Sequence, residues 1–141
     1  MFDSSEVRTR SDMKKNFHFI LFTAVGAAIG AMLREVIVGT FHVEHSWMVI
    51  AAINSVGGFI IAVVYEIEHR LHENITIFSA IGFCGGFTTF SHFSYHTASM
   101  LKEGHILIPL LNIFVSLSAT LFACYLGVLA IAFCRKIRGR L

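Results

Sequence analysis

The chain has 141 residues, of which 55% are hydrophobic and 14% charged, and its net charge is +2 with the histidines neutral. A soluble domain carries about 25% charged residues, so this sequence has too little charge to coat an aqueous surface. With 14 Phe and one Pro, the composition excludes a disordered chain, a basic nucleic-acid binder and an ordinary soluble enzyme, and leaves lipid as the solvent of what the length allows as one domain.

Residues 1–16 read as a basic N-terminal tail carrying Arg8, Arg10, Lys14 and Lys15. Four apolar runs follow, at about 17–41, 46–65, 75–100 and 106–133. A helical span needs about 20 apolar residues, and each run reaches that length. The connections HVEHS, EIEHRLHEN and LKEGH are too short for a globular domain. A second basic tail, 135–141, holds Arg135, Lys136, Arg138 and Arg140. The expected architecture is therefore an all-α membrane protein with a four-helix domain over 17–134. The first run has the basic flank of a secretory signal, but its apolar stretch is longer, and Gly26 and Gly30 suit close helix packing. It is read as a retained span.

An even number of spans places both termini on one side. Nine of the eleven Lys and Arg lie in the two tails and the middle loop, against Lys102 in the other loops and Arg34 at the end of the first run. Lys and Arg concentrate on the cytoplasmic side of membrane proteins, which predicts cytoplasmic termini. Cys84, Cys124 and Cys134 fall in or at the edge of apolar runs without a CxxC pair. They read as small packing residues, with lipidation of Cys134 beside the basic tail an alternative.

The third run is longer than one crossing requires. Its centre reads Gly82-Phe83-Cys84-Gly85-Gly86-Phe87-Thr88-Thr89-Phe90-Ser91. Each glycine weakens a helix by about 1 kcal/mol relative to alanine, so a broken helix is expected here. Backbone groups freed inside a membrane must face protein, an ion or water. A small-residue packing face is the competing reading. Phe90 and Phe93 share a helix face; they either pack in lipid or core, or turn the electropositive ring edge toward an anion.

Asn54 lies about 12 Å into the second run at about 1.5 Å per residue. Ser116, with Ser118 and Thr120 nearby, lies at similar depth in the fourth run, and Thr88, Thr89 and Ser91 lie near the centre of the third. Neutral hydrogen-bonding groups therefore converge, either to join helices or to line a path. No Asp or Glu occupies the middle of a run: Glu35 is near an end, and Glu66 and Glu68 adjoin a loop. A proton-coupled exporter wants a membrane-buried titratable group, and the candidates are His92 and His96. Two histidines without a third ligand make a thin metal signal. His18, His42, His45, His69, His72 and His105 lie near ends or loops.

GAAIGAMLR (26–34), NSVGGF (54–59) and GFCGGFTTFSHF (82–93) resemble, in order and spacing, the three signatures of the Fluc/CrcB fluoride channels. The resemblance spans about 16–134. It implies an antiparallel, dual-topology dimer of four-helix subunits in the plasma (inner) membrane, with two pores through which cytoplasmic fluoride leaves by electrodiffusion, and no catalytic residues. By the same resemblance Asn54, Phe90, Phe93 and Ser116 line the fluoride path and Thr89 and Ser91 extend it. Arg34 stands at a vestibule, and the carbonyls of Gly85 and Thr88 hold a structural sodium ion at the dimer interface. Two positions depart from the family pattern. His92 stands where a small hydroxyl residue is usual. His96 stands where Glu is frequent, and is expected to tune conduction with pH. The strong charge bias is unusual for a chain that inserts both ways, so the partner is either a second copy or an inverted homologous subunit. The rival readings are a small proton-coupled exporter of drugs or cations and a structural subunit whose break only packs. No nucleic acid is expected as a partner.

Overall fold

The computed structural model describes the backbone of residues 4–41 and 46–138 and the side chains of residues 16–41 and 47–138. The side chains of Arg8, Arg10, Lys14, Lys15, His42, His45 and Arg140 lie outside the described residues. The described chain is helical, in the order α1 (Ser4–Thr40), α2 (Ser46–Ile67), a 3₁₀ turn (Glu68–Arg70), α3 (Glu73–Thr76), a π-helix (Ile77–Cys84), α4 (Gly85–Phe87), α5 (Phe90–Lys102) and α6 (Leu107–Arg138). Among the described residues three helices are long and apolar enough to cross a membrane, Asn16–Thr40, Trp47–Arg70 and Leu107–Arg138. The third apolar run is split, so neither of its arms has that length alone. The backbone of 4–16 continues α1 without interruption.

Local chemistry sets the ends of these elements. The lone proline, Pro109, stands in the first turn of α6, where a backbone N–H has no intrahelical acceptor to lose. His72 caps α3 by accepting from the Asn74 N–H at 3.3 Å. Helix α5 stops at Gly104, whose φ of +85° is open to glycine at little cost. There Gly104 N–H donates to the Leu101 carbonyl at 3.1 Å and His105 N–H to the Met100 carbonyl at 3.0 Å.

The break in the third run falls at Thr88-Thr89. Thr88 takes ψ 157° and Thr89 takes φ −150° and ψ 117°, both extended. This corrects the expectation that the glycines make the break. Gly82 lies in the π-helix, Gly85 and Gly86 in α4, and two of the three serve packing against α1. A Cβ on Gly82 would sit 2.8 Å from the Thr23 carbonyl oxygen and 3.0 Å from the Gly26 Cα, and one on Gly86 would collide with the Ala27 backbone. A Cβ on Gly26 would stand 2.5 Å from the Phe78 carbonyl oxygen. The π-helix, a form found often at functional sites, presents the Phe78 carbonyl to α1. Of the three glycines at the centre of this run, only Gly85 meets nothing within 4 Å.

Two helix pairs result. In one, α1 packs on the π-helix and α4. In the other, α2 packs along α6, where a Cβ on Gly127 would stand 2.8 Å from the Phe59 carbonyl oxygen and one on Gly58 2.9 Å from Cys124 Sγ. Close backbone approach of this kind replaces the hydrophobic effect, which gives little net attraction between helices in lipid. The outer faces carry exposed Leu, Ile, Phe and Val throughout α1 and α6. With its apolar helices exposed on this scale, the protein is an all-α, multi-pass membrane protein.

Candidate functional site

A cavity of about 410 Å³ opens between the two pairs, at the break. Asn54 and Gly57 reach it from α2, Thr88 and Thr89 from the break, Phe90 and Phe93 from α5, and Ser116 and Thr120 from α6. Among the described residues no charged one lines it. The first turn of α5 begins at its wall, so the partial positive charge of a helix N-terminus faces a space without fixed charge.

Asn54 clamps the break. Its Nδ2 donates to the Thr89 carbonyl at 3.2 Å, and its Oδ1 accepts from the Thr89 N–H at 2.8 Å. A backbone N–H can only donate, so this pair fixes which way the amide points. One of the two Nδ2 hydrogens is used and the other is spare. The clamp has a second effect. Thr89 N–H donates to Asn54 rather than to Gly85, four residues back. His92 N–H donates to Thr89 Oγ1 at 3.2 Å rather than to the Thr88 carbonyl. The carbonyls of Gly85 and Thr88 are thereby released from their helical donors. Thr88 itself is held by its Oγ1, which donates to the Cys84 carbonyl at 2.8 Å.

On the far wall, Ser116 Oγ donates to Asn112 Oδ1 at 3.0 Å. Asn112 Nδ2 donates to Thr97 Oγ1 at 2.9 Å, and Thr97 Oγ1 donates to the Phe93 carbonyl at 2.8 Å. Asn112, Ser116 and Thr97 are all buried, Asn112 to 1% exposure. Four hydrogen-bonding groups thus run in one direction from the cavity wall on α6 to the backbone of α5. The sequence reading missed Asn112 and Thr97. The signal was present: Asn112, Ser116 and Thr120 recur at four-residue intervals and so share one helix face.

Of the residues expected at the site, the structure gathers Asn54, Phe90, Phe93, Ser116, Thr89, Thr88 and Gly85 around one cavity. The rings of Phe90 and Phe93 lie 5.7 Å apart between centroids at an interplanar angle of 39°. Phe93 is half-buried, whereas Phe90 is 76% exposed. Ser91 is exposed on α5 and does not line the cavity. His96 also stands off it and meets the Tyr95 ring edge-on at 5.6 Å, while His92 Nδ1 lies 3.3 Å from Thr89 Oγ1. Arg34 lies on the other side of the broken run, where Nη1 donates to the Gly86 carbonyl at 2.9 Å and Nη2 pairs with Glu35 at 3.1 Å.

A broken membrane helix, an uncharged and mainly apolar cavity with a few amide and hydroxyl groups, and paired Phe rings define a membrane conduction or binding site in a helical bundle. The chain belongs to the CrcB family: residues 21–128 match the model described as CrcB-like protein, Camphor Resistance (CrcB). Among curated relatives, a protein of Pyrococcus furiosus named fluoride-specific ion channel FluC is 35% identical over 112 residues, covering 77% of this chain and 91% of the relative. Proteins of the same name from Hydrogenovibrio crunogenus and Leptospira interrogans are 35% and 38% identical, covering 81% and 77% of this chain and 92% and 91% of the relatives.

Proposed function

We propose that the protein is a fluoride-selective channel through which cytoplasmic fluoride leaves by electrodiffusion. The observation that carries this reading is the uncharged cavity at the break, lined by Asn54, Thr89, the Phe90–Phe93 pair and Ser116. Fluoride is small and strongly hydrated, so a pore must replace its water with donors and still release it. The spare Nδ2 hydrogen of Asn54 and the ring edges supply such donors, the Ser116 hydroxyl adds one when it turns from Asn112, and a fixed cation beside the path would hold the ion too tightly for fast exit. Nothing in this chemistry makes or breaks a covalent bond. The proton-coupled exporter is less well served, because no carboxylate lines the cavity.

The exposed Phe90 and the open Gly85 support assembly with an inverted partner, a second copy or a homologous subunit, whose surface would complete the path. The released carbonyls of Gly85 and Thr88 are the hard oxygen donors that a sodium ion takes. Two donors are fewer than such an ion uses, and a partner across the interface would supply the rest. The charge distribution favours the inner membrane with both termini cytoplasmic in at least one orientation. Arg34 serves a vestibule in this reading, and Ser91 belongs to the part of the path lined with the partner.

Fluoride efflux from liposomes, with chloride as the control anion, tests the reading. Fluoride-selective efflux from wild type, lost in Phe90→Ile while the assembled size on a sizing column is unchanged, is the expected result. Equal fluoride and chloride flux, or none with the partner present, overturns it. In His96→Gln, the flux profile over about pH 5.5–8 is expected to flatten; identical profiles remove His96 from any role in conduction.

A further inference from the structure

A second site lies away from this cavity. At the end of α2 and α6 a cavity of about 350 Å³ is walled by Arg70, Arg135 and Arg138 and floored by Ile67, Ile131 and Cys134. Arg135 is neutralised locally, with Nη1 3.3 Å from Glu66 Oε2 and Nη2 donating to the Glu66 carbonyl. Arg70 Nε donates to His69 Nε2 at 3.2 Å, a partner without negative charge. Among the described residues neither Arg70 nor Arg138 has a carboxylate partner. Basic residues in the last turn offset the helix dipole, which accounts for the placement of Arg135, Lys136 and Arg138 on α6. It does not account for Arg70, which arrives from a different segment, nor for the cavity that separates it from Arg138. Lys136, on the same turn, does not line the cavity.

We propose that this cavity binds the phosphate headgroup of an anionic phospholipid. Two guanidinium groups without counter-charge form a fork suited to phosphate oxygens. The floor is the distinguishing feature. Ile67 and Ile131 line the same cavity as the arginines, so an amphiphile can place its phosphate among the arginines and its glycerol and first methylenes on the isoleucines. A free phosphate ion has no use for that floor. The cytoplasmic leaflet supplies anionic lipid to basic pockets between transmembrane helices, on the side to which the charge distribution assigns these residues. The proposal does not depend on conduction, and its readout is binding.

The test measures binding of dioctanoyl phosphatidylglycerol and dioctanoyl phosphatidylcholine to the full chain purified in a non-ionic detergent. The expected result is that the anionic lipid binds about tenfold more tightly, and that R70Q/R138Q reduces it to the level of phosphatidylcholine while K102Q leaves it unchanged. Inorganic phosphate at the lipid's own concentration is expected not to displace it. Equal binding of the two lipids, an unaffected R70Q/R138Q variant or an equal loss in K102Q overturns the proposal. Displacement by inorganic phosphate overturns the lipid assignment in favour of a free-anion site. If R70Q/R138Q aggregates, R70K/R138K carries the test, since it keeps the charge and removes the fork. Weaker phosphatidylglycerol binding with phosphatidylcholine unchanged supports the proposal, and unchanged binding of both overturns it.

Discussion

The two sides of the broken run are built on opposite rules. Toward α1, small residues let backbone meet backbone: Gly26 lies under the Phe78 carbonyl, Gly82 against Thr23 and Gly86 against Ala27. One hydroxyl there, Thr23 Oγ1, is buried without a hydrogen-bond partner among the described residues. Toward α2 and α6 the extended Thr88-Thr89 pair holds the backbone away and leaves a cavity, and the polar groups Asn54, Thr89, Asn112 and Ser116 all have partners. The difference teaches what the glycines and the threonines each do. Glycines close one side so that the break can open the other.

The largest effect is expected at Gly86. Gly86→Val forces a side chain into the Ala27 backbone, where no flexible group can yield. Loss of the folded species on a sizing column is expected, whereas Gly39→Ala, facing open space, elutes as wild type. Equal behaviour of the two would contradict the close-packed reading of the α1 side. Next in size is Asn54→Ala, which leaves the buried Thr89 N–H and carbonyl unpaired. A destabilisation of about 2–4 kcal/mol, read by thermal unfolding in detergent, is expected with faster amide exchange at Thr89. Asn112→Leu removes the middle of the hydrogen-bonded row under Ser116. It is expected to cost about 1–2 kcal/mol and to change fluoride efflux more than the cavity's shape, because Leu keeps the branched heavy-atom skeleton of Asn. Least affected is Thr23→Val. It deletes a hydroxyl that has no partner, so a melting temperature equal to or above wild type is expected; a clear fall would mean that the hydroxyl is satisfied in the membrane.

Three long apolar helices were legible because lipid demands long apolar runs, and the interruption of the remaining run was legible because Gly, Thr and Ser are dense there. Its exact place was not. Glycine destabilises a helix in isolation, but here α1 holds Gly82 and Gly86 in helical geometry, and the extended residues are the threonines, whose N–H and carbonyl have a partner in Asn54. The π-helix over Ile77–Cys84 leaves no mark that periodicity could read, since apolar residues surround it on every face. Asn54, Phe90, Phe93 and Ser116 came from depth and motif and do meet at one cavity. Ser91 and His96 came from the same motif and turn elsewhere on α5, because a helix distributes neighbours in sequence around its axis. Asn112 was passed over as one polar residue in an apolar run, although its four-residue spacing from Ser116 set it on the same face.

The row from Ser116 through Asn112 and Thr97 to the Phe93 carbonyl has a sense of direction. Each oxygen or amide in it points its hydrogen the same way, and the last acceptor is a backbone group that cannot reverse. At rest, therefore, the hydroxyl of the fourth span shows the cavity its lone pairs, a surface that welcomes a water molecule's hydrogen and repels an anion. To be received there, an anion must swing that hydroxyl round and strand the carbonyl oxygen of a buried amide. The wall is thus a turnstile with a preferred resting position, and Asn112, which never touches the cavity, sets the torque.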